Sequence, residues 1–250
     1  MLKVYAVFCG ISYAQLESFG PGYMIFTGTQ LIHYFECSRR YTVGYVAVNH
    51  SIKQVILAFR GTDSHQQRIT DAHFRRVRWP KEIKKCKVHH GFHMSYHDVA
   101  DQLYQTTMEK LQRHPNYTLA ITGHSLGGAL ASLAAVDFAM RRPALVERMK
   151  VVTFGKPRVG NKSYVRHYNS LQIETARVVN KYDVVPHLPP RVIGYKQEGG
   201  DIWIKPHPRY HHETVAYPQV DNKSNPKGPK GILPFKFSSK DHVWAWNVPL

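Results

Sequence analysis

Three side chains, a serine, a carboxylate and a histidine, could together perform nucleophilic chemistry in this chain. The serine is Ser125, inside TLAITGHSLGGALASLAA at residues 118–135. The run LAIT before it is β-prone, and GALASLAAVDFAM after it is helix-prone. A strand that turns straight into a helix through G-x-S-x-G forms a tight corner with the serine at its tip. Side chains two before and two after that serine would collide, so Gly123 and Gly127 are expected to keep the corner open. The serine would then stand at a helix N-terminus. There the backbone N–H of Leu126 and the helix dipole favour a developing negative charge.

A serine hydroxyl is a poor nucleophile without a base. Folds that present the serine on such a corner supply an Asp or Glu and then a His later in the chain. Asp183 follows ARVVN, a strand-like run, and sits in a loop where an orienting carboxylate would belong. It could equally be a solvated turn former before Pro186. His242 lies near the C-terminus, where a last loop would deliver the base. With 16 histidines in the chain, position alone leaves His187, His207, His211 and His212 as rivals.

These residues need a scaffold. VGYVAV (43–48) and QVILAFR (54–60) read as a hairpin. Residues 62–90 read as a long polar and basic surface excursion with a short helix. A helix is expected over 93–113, ending at His114-Pro115. A strand follows at 118–122, then a helix over about 126–141 and a strand at 150–154. A helix at about 161–170 and strands at 176–180 and 201–205 complete the alternation. Strands alternating with helices imply an α/β chain with a mostly parallel central sheet. No repeat or linker divides it, so residues 1–250 are expected to form one domain.

Bulk properties narrow the class. Of 250 residues, 43% are hydrophobic, and no apolar run approaches the roughly 20 residues that span a bilayer. Lys and Arg number 34 against 17 acidic residues, a formal charge of +17. Such a chain is drawn to polyanions, including anionic lipid. The charges are spread over loops and no nucleic-acid motif occurs, so a nucleic-acid partner is not expected. Cys9, Cys37 and Cys86 permit one disulfide at most and show no zinc spacing. Neither a metal nor a cofactor is expected. MLKVYAVFCGISYAQ reads as an amphipathic first helix, with a faintly signal-like small-x-small ending at Ser12-Tyr13-Ala14. Sequons at Asn49, Asn116, Asn161 and Asn222 are weak pointers to a secretory route.

Seven short stretches carry a resemblance: AFRGT (58–62), ITD (69–71), VHHGF (88–92), ITGHSLGGALASL (121–133), TFGKPRVGN (153–161), YDVVPHLPP (182–190) and DHVWAW (241–246). In content and order they resemble the fungal class 3 lipases, the extracellular triacylglycerol lipases of filamentous fungi and yeasts. The resemblance implies an α/β-hydrolase fold: a mostly parallel sheet flanked by helices, with a short lid at about 63–80. It implies a triad of Ser125, Asp183 and His242, with Thr62 as the second oxyanion donor beside Leu126. Asp71 matches the acid that closes the lid segment and is read as structural.

The implied activity is ester hydrolysis on acylglycerols by an expected monomer, with peripheral contact expected at a lipid interface or anionic membrane surface. Phospholipase A1 or feruloyl-type esterase activity on the same scaffold is the alternative, with a non-catalytic lipase-like binding protein further off. The lid departs from the family: Ile69, Phe74, Val77 and Trp79 lie among Arg68, Arg75, Arg76 and Arg78, a basic amphipathic surface rather than a greasy plug. The resemblance implies secretion, and the weak signal leaves an intracellular location as the alternative.

Overall fold

The strand Gln54–Phe59 shows why the chain forms layers. Val55, Leu57 and Phe59 point to one side, Ile56 and Ala58 to the other, and all five are buried. A strand apolar on both faces must lie inside a sheet covered on both sides. Burying each large apolar side chain contributes about 1.5–3 kcal/mol.

The computed structural model of the chain describes residues 2–18, 20–61, 74–207, 212–217, 227–246 and 248–250. Its central sheet runs, edge to edge, Met24–Phe26, Thr29–Cys37, Thr42–Asn49, Gln54–Phe59, Thr118–His124, Met149–Phe154, Glu174–Asn180, Gly200–Lys205 and Glu213–Tyr217. From Gln54–Phe59 to Gly200–Lys205 the neighbours are parallel. The pairings toward both edges are antiparallel. The expected hairpin is present, with Gly44 opposite Phe59 and Asn49 opposite Gln54.

One face is covered by the helices His90–His97, Ala100–Arg113, Leu126–Arg141 and Lys162–Ser170, the other by Leu2–Ile11 and the C-terminal segment. Leu126–Arg141 is buried along nearly its whole length. Its Gly and Ala residues allow that, because a helix of small residues can pack against strands and neighbouring helices at once.

Three elements differ from the sequence reading. The helix expected over 93–113 is two helices, His90–His97 and Ala100–Arg113, parted at Asp98–Val99, where Arg40 pairs with Asp98. Strands Met24–Phe26 and Thr29–Cys37 extend the sheet beyond the hairpin. The excursion before residue 90 is not all surface. Arg76–Arg78 pairs antiparallel with Lys87–His89 in a second, four-stranded sheet, and Trp79, Cys86 and Val88 enter the core. The expected lid span therefore lies outside the described residues as far as His73, and its end, from Phe74 to Pro80, is held by that small sheet.

Candidate active site

Ser125 occupies the corner between Thr118–His124 and Leu126–Arg141, with φ 56° and ψ −123°. A non-glycine residue there is strained by about 1–3 kcal/mol, and such strain gathers at functional sites. Its N–H donates to the Phe154 carbonyl at 2.9 Å, and its own carbonyl accepts from Gly128 at 3.0 Å. The glycines have separate reasons. A Cβ on Gly123 would meet the backbone of Gly127 and Gly128, as the tight corner requires. One on Gly127 would meet the Phe59 carbonyl of the adjacent strand. Leu126 is the first helical residue, and the first N–H groups of a helix have no intrahelical partner.

Asp183 lies three residues beyond the strand Glu174–Asn180. Its N–H returns to the Asn180 carbonyl at 2.9 Å, and its Oδ1 accepts from Val185 N–H at 2.9 Å. The segment before His242 is stitched to this loop. Ser238 N–H donates to the Tyr182 carbonyl, Asn180 Nδ2 to the Asp241 carbonyl, and Tyr182 N–H to Asp241 Oδ2. These bonds deliver the His242 ring to Asp183, with Nδ1 at 2.9 and 3.0 Å from the two carboxylate oxygens. Both side chains are buried. Facing a carboxylate, Nδ1 carries the proton, which makes Nε2 the basic nitrogen of the ring.

The pair is brought to the serine by one glycine. Phe154 binds Ser125, and the next residue, Gly155, has φ +55°. A Cβ at Gly155 would stand 2.8 Å from Asp183 Oδ2, His242 Nδ1 and His242 Cε1. Gly155 is therefore the notch into which both partners settle beside the nucleophile corner.

A hydrogen-bonded chain also reaches His242 from behind. His124 Nε2 lies 2.8 Å from the His242 carbonyl, which only accepts, so Nε2 is the protonated nitrogen. His124 Nδ1 must then accept, and Tyr13 Oη at 2.7 Å donates to it. Tyr13 Oη in turn accepts from Gly61 N–H at 3.1 Å. One histidine thus links the His242 backbone to the residue preceding Thr62.

Of the sequence candidates, Ser125, Leu126, Asp183, His242, Gly123 and Gly127 converge on one sheet edge. Thr62, Asp71 and His211 lie outside the described residues. The His187 ring lies tilted against Phe237, with centroids 4.3 Å apart. His212 lines a cavity of about 330 Å³ with Lys181, Asp241 and Trp244. Among the described residues no group of three or more His, Cys, Asp or Glu could hold a metal. Behind Gly155, buried Lys156 places Nζ 2.7 Å from Glu198 Oε1, and burial pushes its amine down to about 8. Asn49 and Asn161 of the sequons are engaged in structural hydrogen bonds, to Thr29 and to Tyr164 and Lys85.

The family model for lipase (class 3) matches residues 56–193, more than half of the chain and spanning the corner and the Asp183 loop. The chain belongs to the class 3 lipase family. A lipase of Rhizopus niveus is 41% identical over 165 residues, covering 66% of this chain and 42% of that protein. A secreted mono- and diacylglycerol lipase A of Penicillium cyclopium is 32% identical over 204 residues, covering 81% and 65%. The match thus spans less than two thirds of the length of these curated relatives. A solved triacylglycerol lipase, described as having a catalytic centre formed by a serine protease triad, superposes with a TM-score of 0.89. It shares 30% identity, with 99% of this chain and 94% of that one covered. The fold is that of the α/β-hydrolases.

Sequence reasoning on this member of the class 3 lipase family missed Gly155, Tyr13 and His124. Gly155 was within reach, since it stands inside TFGKPRVGN immediately after a strand. Tyr13 carries no local signal, because its partners are 48 and 111 residues away.

Proposed function

We propose that the chain is a serine carboxylester hydrolase acting on acylglycerols, a triacylglycerol lipase. The observation that carries this reading is the buried His242–Asp183 pair seated on the Gly155 notch, beside a serine held at positive φ. His242 Nε2 takes the Ser125 proton as Oγ attacks the ester carbonyl. Asp183 holds the ring in the Nδ1–H form and stabilises the imidazolium. The oxyanion rests on the Leu126 N–H at the positive end of its helix, with the Thr62 N–H as second donor. His242 then protonates the departing alcohol, and a water repeats the sequence to release the fatty acid. No metal or cofactor enters these steps.

Contact with a lipid interface is supported by apolar side chains on the loops that carry Asp183 and His242: Val192, Ile193, Leu233 and Phe235 are exposed. A lid over about 63–80 within a single domain 1–250 completes the reading. Secretion is supported by the Penicillium relative, itself named as secreted.

The test is the initial rate on p-nitrophenyl esters from acetyl to palmitoyl, for the chain and for Ser125→Ala. Activity that favours long chains and falls at least about 10,000-fold in the variant supports a serine lipase. Activity confined to short chains replaces it with a soluble-ester esterase, and absence of activity on every ester overturns the reading.

A further inference from the structure

The loop that follows Asp183 walls a second cleft, separate from the triad and strongly cationic. Arg158, Arg177, His187, Arg191, Asp201 and Lys230 face it. Arg177 is matched by Asp201 in an ion pair, both nearly fully buried. Arg158 is 6% exposed and gives its N–H groups to the carbonyls of His187 and Pro189, the latter at 2.8 Å. Among the described residues no carboxylate pairs with Arg158 or Arg191. His187 Nε2 is buried and has no hydrogen-bond partner there either.

Among the described residues, the three guanidiniums Arg158, Arg177 and Arg191 thus outnumber the one lining carboxylate, Asp201, and neighbouring groups register the excess. Burial, then Arg191 and Arg177, push the Arg158 guanidinium down to about 9. Burial, then Arg158, Arg177 and Arg191, push His187 down to about 3. Lys196 is lowered by burial and by Arg191, Arg158 and Lys230. A buried guanidinium without a counter-charge is costly, and bringing in an anion offsets that cost.

We propose that this cleft binds a phosphate-type oxyanion. Guanidinium forks match tetrahedral oxyanions with paired N–H donors, and a lysine adds a point charge. The cleft opens to solvent, so a phosphate can reach the cations from its mouth. The centres of water-sized groups have about 20 Å³ of room there, within about 260 Å³ of empty space that includes open solvent. That shape admits a phosphate still attached to a larger molecule as readily as a free one. Two apolar residues adjoin the cations in the chain: Val192, next to Arg191, is 93% exposed, and Phe235, five beyond Lys230, is 80% exposed. On a phosphate-bearing lipid surface they would enter the apolar layer while the cations meet the headgroups.

The experiment uses the full chain with Ser125→Ala throughout, so no hydrolysis intrudes and the result does not depend on esterase activity. Inorganic phosphate is titrated by calorimetry at low ionic strength. The expected result is saturable binding that weakens at least about tenfold in Arg191→Ala/Lys230→Ala. The charge-matched Lys3→Ala/Lys84→Ala variant should bind as the parent does. Phosphatidylcholine vesicles with and without phosphatidate then identify the source. If Arg191→Ala/Lys230→Ala also loses the phosphatidate-dependent retention, and phosphate competes it away, the anion is lipid-borne. If retention is unchanged while phosphate binding is lost, the free anion is the ligand. Absence of saturable phosphate binding, or equal weakening in both double variants, overturns the site.

Discussion

Gly155→Ala tests whether the notch sets the catalytic geometry. The added Cβ would stand 2.8 Å from one Asp183 atom and two His242 atoms, where ordinary contact begins at 3.4 Å. The pair must therefore retreat by about 0.6 Å, and a displacement of about 1 Å can cost about 100-fold in rate. Alanine at φ +55° adds about 1–2 kcal/mol of strain, which lowers Tm by about 2–8 °C for a chain of this size. The expected variant is folded, somewhat less stable, and about 30- to 100-fold lower in kcat/KM on p-nitrophenyl butyrate. Labelling by a serine-directed phosphonate should slow in proportion, because both reactions need the same base. A folded variant within threefold of the parent in kcat/KM would show that the pair tolerates the filled notch and that Gly155 does not set the geometry.

Other perturbations follow from the same geometry. Tyr13→Phe removes the hydroxyl between Gly61 N–H and His124 Nδ1. Steady-state kinetics should show kcat about tenfold lower with KM little changed, because the residue before Thr62 loses its tether and His124, which holds the His242 carbonyl, loses the partner at its Nδ1. Gly123→Ala should fail to give soluble protein, or melt many degrees lower in thermal denaturation, since its Cβ meets backbone that cannot yield. Acid stability carries a defined sign. Burial pushes His89 and His93 down to about 4 and His187 to about 3, from 6.5. Between those values and 6.5 the unfolded chain binds protons that the folded chain does not, so stability falls as pH drops through that window. Urea melts at pH 5, 6 and 7 in phosphate-free buffer should show this slope, and His93→Gln should reduce it by up to one proton.

Much of the candidate site was readable because each part sits in a compact motif. The alternation LAIT followed by a small-residue run placed the strand, Ser125 and the helix Leu126–Arg141. Asp183 followed a clean strand, and the family resemblance, not spacing, chose His242 over His187. The structure gives a physical reason for that choice: the bonds from Asn180 and Tyr182 to Asp241 fasten the His242 segment to the Asp183 loop. What escaped reading depends on distance in the chain or on burial. His124 is a hydrogen-bond relay only because the His242 carbonyl, 118 residues away, fixes its tautomer. Trp79 lies among arginines in sequence, yet it is buried because Arg76–Arg78 pairs with Lys87–His89 and turns it inward. Thr29–Cys37 was passed over because half-buried His33 interrupts the buried series Thr29, Leu31 and Phe35, and the pairing register shifts between Leu31 and His33.

The proposed chemistry turns on Ser125 as the nucleophile and His242 as its base. The most direct measurement is mass spectrometry of the chain after reaction with a p-nitrophenyl alkylphosphonate, alone and as His242→Ala. One adduct per chain is expected, on the peptide containing Ser125, formed at least about 1,000-fold more slowly in the variant. An adduct on another residue, or labelling of Ser125 at an equal rate without His242, would contradict it.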